Sequence, residues 1–166
     1  MRFSEQTEAR LERLMASCPP GHERSALVPM LLFIQDETGA VTSEVIEEVC
    51  RRLGVSGLDV EEVVSYYSML RRKPAGRYHI QICTNISCML AGGAELFEHA
   101  CRKLGIGNHG VTTDGMFSLE EVECIGACCW GPAMQVNYEF HHHVTPEAFD
   151  QLIEQLRGHR QGSSGQ

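Results

Sequence analysis

Residues 77–93 read RYHIQICTNISCMLAGG, and this run divides the chain into two kinds of pattern. Tyr78, Ile80 and Ile82 alternate with His79 and Gln81, the two-residue period of a strand with one apolar face. Cys83 closes the alternation, and Cys88 follows it in a C-x-x-x-x-C pair. Next comes a helical stripe of Leu96, Phe97, Ala100, Cys101 and Leu104. Its start is harder to place, because Gly92 and Gly93 weaken any helix that contains them.

Further on, residues 121–137 read EVECIGACCWGPAMQVN. Residues 116–123 have the pattern of a second strand and AMQVN that of a third, with Asp114-Gly115 marking a turn before them. A hairpin partner for AMQVN fits residues 140–144. Thr145 and Pro146 suit the N-cap and first turn of a last helix, whose inner face is Phe149, Leu152, Ile153 and Leu156. The order strand, helix, two strands, helix favours a parallel pair joined by a crossover. That is a small α/β layer compatible with a thioredoxin-like sheet. GHRQGSSGQ, residues 158–166, has nothing to bury and is expected to be loose.

Upstream of residue 77 the pattern is helical. Leu11, Leu14 and Met15 share a face, and CPPG at 18–21 breaks that helix because proline lacks an N–H and fixes φ. A second helix is expected from about Arg24 to Glu37, stopped at Gly39. A third is capped by Thr42 or Ser43 and carries Val45, Ile46, Val49, Cys50 and Leu53. A fourth is read from an Asp59–Glu62 capping pair and buries Val60, Val63, Val64 and Tyr67. RRKPAGR, residues 71–77, reads as a linker. The expected domains are therefore a helical region over 1–76, a sheet-containing domain over 77–157 and a tail over 158–166.

The 166 residues carry a formal charge of −8 and a pI near 5.4. A basic surface for nucleic acid is not expected, nor a polybasic membrane patch. No apolar run approaches the ~20 residues of a membrane span, and the first residues lack the apolar centre of a signal peptide. A cytoplasmic or equivalent reducing compartment is expected. Eight cysteines are many for such a place, where disulfides are rare, so clustered cysteines point to metal or redox chemistry.

Cys124 and Cys128 form a C-x-x-x-C pair, and 35 residues separate it from the Cys83/Cys88 pair. Each pair leaves the end of an expected strand. Four thiolates from two loops can hold a 2Fe–2S cluster, two on each iron, or a zinc ion. Zinc knuckles usually space each pair by two residues, and both pairs here are wider, which suits a larger cluster. Such a cluster is an anion and calls for backbone N–H donors around it. Gly126 lets the backbone come close, Gly131-Pro132 can turn the chain over the site, and Trp130 can shield it.

YHIQICTNISCMLAGG, ECIGACCWGPAMQVN and VTPE together resemble the thioredoxin-like 2Fe–2S subunit of respiratory complex I, the 24 kDa family of NADH:quinone oxidoreductase. The run from Phe33 to Ile80 is similar to that family's helical N-terminal region, so the resemblance spans about residues 23–157. It implies an α/β chain: an N-terminal helical bundle followed by a thioredoxin-like 2Fe–2S ferredoxin domain. It implies Cys83, Cys88, Cys124 and Cys128 as the cluster ligands. It further implies electron transfer next to a partner that holds FMN and a 4Fe–4S cluster and oxidises NADH, with other peripheral-arm subunits beyond. The expected location is cytoplasmic, peripheral to the inner membrane through the complex and without insertion. This chain departs from the family pattern at Cys129-Trp130-Gly131 and at FHHHV, residues 140–144. Equivalent subunits of NAD-linked hydrogenases and formate dehydrogenases share the cysteine pattern. Complex I is favoured because a helical region plus one cluster domain is its usual form.

Other readings are weaker. A thiol–disulfide oxidoreductase needs a C-x-x-C at a helix N-terminus, which is lacking here, and a zinc-stabilised binding module would be colourless. Cys50 and Cys101 sit on apolar stripes and read as core, and Cys18 as a loop thiol. Cys129 is expected to pack beside the site, because adjacent residues rarely face one metal. His141, His142 and His143 read as a solvated hairpin, since consecutive strand residues alternate faces. Glu61, Glu62, Glu120 and Glu121 read as solvated acidic pairs. Tyr66 and Tyr67 are candidates for a partner surface, though core packing alone explains Tyr67. No residue is assigned as a nucleophile or general base.

Overall fold

The computed structural model describes residues 1–158, so the tail expected over 158–166 lies outside the described residues from position 159 onward. The chain divides into two compact units, Met1–Pro74 and the part from Ala75 onward.

The first unit is helical. It comprises α1 (Glu5–Ser17), a 3-10 turn (Glu23–Ala26) running into α2 (Leu27–Thr38), α3 (Ser43–Leu53) and α4 (Gly57–Tyr66). The Ser4 hydroxyl accepts from Thr7 N–H to open α1, and Thr42 accepts from Val45 N–H to open α3. Each satisfies a donor that the first turn leaves unpaired. The start of α4 differs from the Asp59–Glu62 expectation. Ser56 is the N-cap, and Asp59 reaches back to its N–H in a reciprocal box, so the helix opens three residues earlier, with Asp59 as the third residue of the helix rather than its cap. Leu11, Met30, Leu31, Ile34, Val45, Val49 and Val60 form the core, and Cys50 packs against it as its stripe predicts. The buried Gln35 amide clamps the segment after α4, donating to Met69 C=O at 2.9 Å and accepting from Arg71 N–H at 2.6 Å.

The second unit is a five-stranded sheet in the order β2-β3-β1-β4-β5. Its strands are β1 (Tyr78–Cys83), β2 (Gly110–Val111), β3 (Phe117–Val122), β4 (Met134–Val136) and β5 (Glu139–His141). β1 and β3 are parallel and the other pairs antiparallel. The crossover from β1 to β3 holds α5 (Ile86–Leu90) and α6 (Gly93–Leu104), and α7 (Pro146–Gly158) ends the unit. One face of the sheet presents Ile80, Ile82, Phe117, Leu119, Met134 and Val136 to Leu96, Ala100, Phe149 and Ile153 of α6 and α7. The two-residue β2 and the five-residue α5 are too short to show a period in the sequence.

The opposite face follows from the same alternation. His79, Gln81 and Cys83 occupy it on β1, and their register partners Ser118, Glu120 and Val122 occupy it on β3. The strand that carries Cys83 therefore points that cysteine away from the α6–α7 core.

Candidate metal centre

Cys83 is the last residue of β1, and its N–H is tied to Ala133 C=O at 3.1 Å. The chain then turns at Asn85, whose side chain accepts from Ile86 N–H and caps α5. Cys88 therefore sits on a short helix, whereas its spacing suggests a loop. Both sulfur-bearing residues are buried, at 2% exposure each. They join Ala127 and Ala133 in a small apolar cluster, with Val122 and Ile125 packed on it. Gly93 makes this packing possible. A Cβ there would lie 2.6 Å from Cys83 C=O and 2.8 Å from Cys88 C=O, so only glycine lets the start of α6 approach both backbones.

Cys124 follows β3, and Cys128 opens a 3-10 turn over Cys128–Trp130. Their sulfurs stand 4.0 Å apart. Two thiolates on one tetrahedral metal at ~2.3 Å are separated by about 3.8 Å, so little movement is needed for this pair to share an ion. Cys124 and Cys128 are exposed, and the site has one buried and one open side. Among the described residues, no three His, Cys, Asp or Glu side chains converge on one point as a single-ion site requires. The cysteines stand as two pairs on separate segments, and a two-iron cluster takes two thiolates on each iron.

Backbone donors face the sulfurs. Gly126, at φ +79°, points its N–H at Cys124 Sγ at 3.3 Å, and a residue with a Cβ adopts that conformation rarely. Burial pushes the Cys88 thiol up, the Ala133 backbone N–H pulls against it, and the neighbouring Cys83 and Cys128 raise it further. The Cys128 thiol is raised first by its hydrogen bond with Cys124, then by the charge of that sulfur, with Cys83 and Cys129 adding to it. Cys88 thus feels Cys83 and Cys128, and Cys128 feels Cys124 and Cys83, and crowded thiols of this kind favour metal, which takes them as thiolates without leaving bare negative charge. The residues present fit a 2Fe–2S cluster.

Other residues singled out in the sequence fall as follows. Cys129 is exposed. Cys101 is half-buried against the α6–α7 core, and burial raises its thiol. Cys18 caps the C-terminus of α1. Trp130 lies on His142, with ring centroids 5.1 Å apart, and is 51% exposed, so any cover it gives is open to solvent. His143 N–H is bonded to Trp130 C=O at 2.9 Å.

Glu120 departs from the solvated acidic pair that its sequence neighbourhood suggests. Glu120 is buried rather than solvated, and its Oε2 lies 2.9 Å from His79 Nε2 and 3.1 Å from Gln81 Nε2. Burial pushes its carboxyl up, but hydrogen bonds from His79 and Gln81 outweigh that and hold it below the usual carboxylate value. The adjacent-glutamate pattern hides this, because only the β1–β3 register sets Glu120 beside Gln81.

The family of thioredoxin-like 2Fe-2S ferredoxins matches residues 11–157. NADH-quinone oxidoreductase subunit 2 of Thermus thermophilus is 40% identical over 158 residues, 95% of this chain and 87% of that one. An NADH-quinone oxidoreductase subunit of Rhizobium meliloti is 41% identical over 134 residues, 81% of this chain and 80% of that one. In fold, an NAD+-reducing NiFe-hydrogenase in the air-oxidized state superimposes with a TM-score of 0.71 at 20% identity, over 81% of this chain and 23% of that one. With a match that runs through both units and all four paired cysteines, the chain belongs to the thioredoxin-like 2Fe-2S ferredoxin family.

Proposed function

We propose that this chain is the electron-transfer subunit of an NADH:quinone oxidoreductase, and that Cys83, Cys88, Cys124 and Cys128 hold its 2Fe–2S cluster. The observation that carries the reading is the pairing of two buried and two exposed cysteines, with backbone N–H groups aimed at the sulfurs, in a chain whose relatives bear that enzyme's name. When bound, the cluster accepts and passes on one electron at a time. The protein's own contribution is geometric and electrostatic. β1 and the loop after β3 bring the pairs together, Gly126 and Ala133 offer N–H dipoles to the negative charge, and the apolar residues around Cys83 and Cys88 exclude water. The open Cys124–Cys128 side is where a partner can approach.

The partner in this reading is a subunit that binds FMN, oxidises NADH and carries a 4Fe–4S cluster, with further peripheral-arm subunits beyond it. The chain belongs to the cytoplasmic face, held to the membrane through the complex. No helix among the described residues is long and apolar enough to cross a membrane. The hydrogenase reading is second, because its likeness lies in the fold at 20% identity, against about twice that identity for the oxidoreductase relatives. Co-purification of the tagged chain from its native cell, followed by flavin analysis of what it carries, tests the proposal. Stoichiometric FMN with NADH dehydrogenase activity is expected, and a flavin-free preparation contradicts it.

A further inference from the structure

The face of β1 that ends in Cys83 carries a buried hydrogen-bonded chain with no part in holding sulfur. His79 Nδ1 lies 2.8 Å from Ser118 Oγ, and Nε2 lies 2.9 Å from Glu120 Oε2. Gln81, between His79 and Cys83 on the same face, bonds the same Glu120 oxygen at 3.1 Å. His79, Ser118 and Glu120 are each at most 9% exposed. Asn137 locks the backbone of His79 from both sides, its Oδ1 accepting from His79 N–H at 2.9 Å and its own N–H donating to His79 C=O at 2.8 Å. The charged or titratable groups that act here are Glu120 on β3 and His109 in the segment before β2, whose charge is felt at Glu120. Ser118, Gln81 and Asn137 are neutral.

This arrangement suits two protonation states of one ring. With the imidazole neutral, Nε2–H donates to the Glu120 carboxylate and Nδ1 accepts from the Ser118 hydroxyl. With the ring protonated, Nδ1–H donates and the hydroxyl turns to accept, so no buried bond is lost. The carboxylate compensates the positive charge. His79 stands four residues before Cys83, about 13 Å along the strand at ~3.3 Å per residue, and charges at that separation inside protein interact appreciably.

The geometry points to His79, held between Ser118 and Glu120, as a proton site coupled to the electron held by the Cys83-bearing centre. This inference rests on the proposed cluster. When one electron arrives from the partner's reduced flavin, or from dithionite in the test tube, His79 Nδ1 takes one proton from solvent. When the electron leaves, that proton is released. By linkage, protonation then favours the reduced state, so the reduction potential is higher in acid and falls as pH rises through the titration. His79 is a positioning residue for charge, not a ligand.

The test is an EPR-monitored redox titration of the full chain with its cluster, repeated over a series of pH values from mildly acidic to mildly alkaline. The wild type is expected to fall from an acid plateau to an alkaline one. His79→Gln, which keeps a donor to Glu120 but cannot titrate, is expected to sit at the alkaline plateau at every pH. Glu120→Gln is expected to raise the alkaline plateau and to move the fall to lower pH, because the ring has lost its anion. Redox-difference infrared spectra of the wild type, which need no variant, are expected to show imidazole bands. A pH-independent wild type, a His79→Gln protein that keeps the wild-type slope, or spectra without imidazole bands would overturn the inference while leaving the cluster in place. A wild type without iron and without an EPR signal overturns the proposed function and this inference together.

Discussion

Gly93→Ala is the sharpest packing test of the metal centre, because the structure states what the new methyl group meets. It would lie 2.6 Å from Cys83 C=O and 2.8 Å from Cys88 C=O. Ordinary carbon–oxygen contact is about 3.4 Å, so the start of α6 must retreat by roughly 0.6–0.8 Å from two backbones, and overpacking of this kind costs ~1–3 kcal/mol. Alanine returns about 0.5–1 kcal/mol of helix propensity at this first helical position. A net loss of ~1–2 kcal/mol is expected, and for a unit of this size each kcal/mol lowers Tm by about 4–8 °C. Because the clash falls on the cysteine-bearing backbones, the variant should also lose visible absorption faster on standing in air. Gly107→Ala is the control, since nothing lies within 4 Å of its new Cβ and its effect should stay within ~0.5 kcal/mol. Thermal unfolding followed by circular dichroism and by absorbance separates the two. Equal melting curves for Gly93→Ala and Gly107→Ala would refute the close-approach argument.

Further outcomes follow from the packing and charge of each unit. Phe149→Ala empties a fully buried position in the α6–α7 core and should cost about 3–5 kcal/mol in urea unfolding; a loss under about 1 kcal/mol would contradict the core assignment. Glu48, hydrogen-bonded first by Arg51 and then by Arg52, has its carboxyl lowered to about 2 from an ordinary 4.5. A depressed carboxyl contributes stability above its unfolded value that is lost as pH falls from about 4.5 toward 2. With Arg51 largely exposed, the contribution is about 1–2 kcal/mol after solvent screening. Glu48→Gln should remove that acid dependence in urea titrations, and an unchanged profile would count against it. Leu58 and Tyr66 of α4 are 79% and 81% exposed; if the helical unit docks on the flavin-binding partner, Leu58→Asp with Tyr66→Ala should reduce co-purified FMN several-fold and leave the chain's own iron content unchanged.

Much of the second unit is legible in the sequence because its elements are long enough to show a period. The alternation at Tyr78–Ile82 predicts β1, and the stripe Phe149, Leu152, Ile153, Leu156 predicts α7 with Thr145 before it, whose hydroxyl accepts from Ala148 N–H. What the pattern hides is whatever depends on register or on very few residues. α5 is one helical turn, set by the Asn85 cap. The burial of Glu120 follows from a parallel pairing across about 40 residues that no local signal encodes. The cysteines are legible as two pairs, but which pair is buried is decided by Gly93, Ala127 and Ala133 packing on Cys83 and Cys88. Trp130 is legible as a bulky neighbour, while its seat on His142 comes from the β4–β5 hairpin bringing residue 142 back beside it.

The most direct measurement is low-temperature EPR of the dithionite-reduced protein, purified without oxygen, together with iron and acid-labile sulfide analysis of Cys83→Ser, Cys124→Ser and Cys101→Ser. About two irons and two sulfides per chain and one 2Fe–2S signal are expected, altered or lost in Cys83→Ser and Cys124→Ser and unchanged in Cys101→Ser. A colourless wild type with stoichiometric zinc, or equal loss in all three variants, would contradict it.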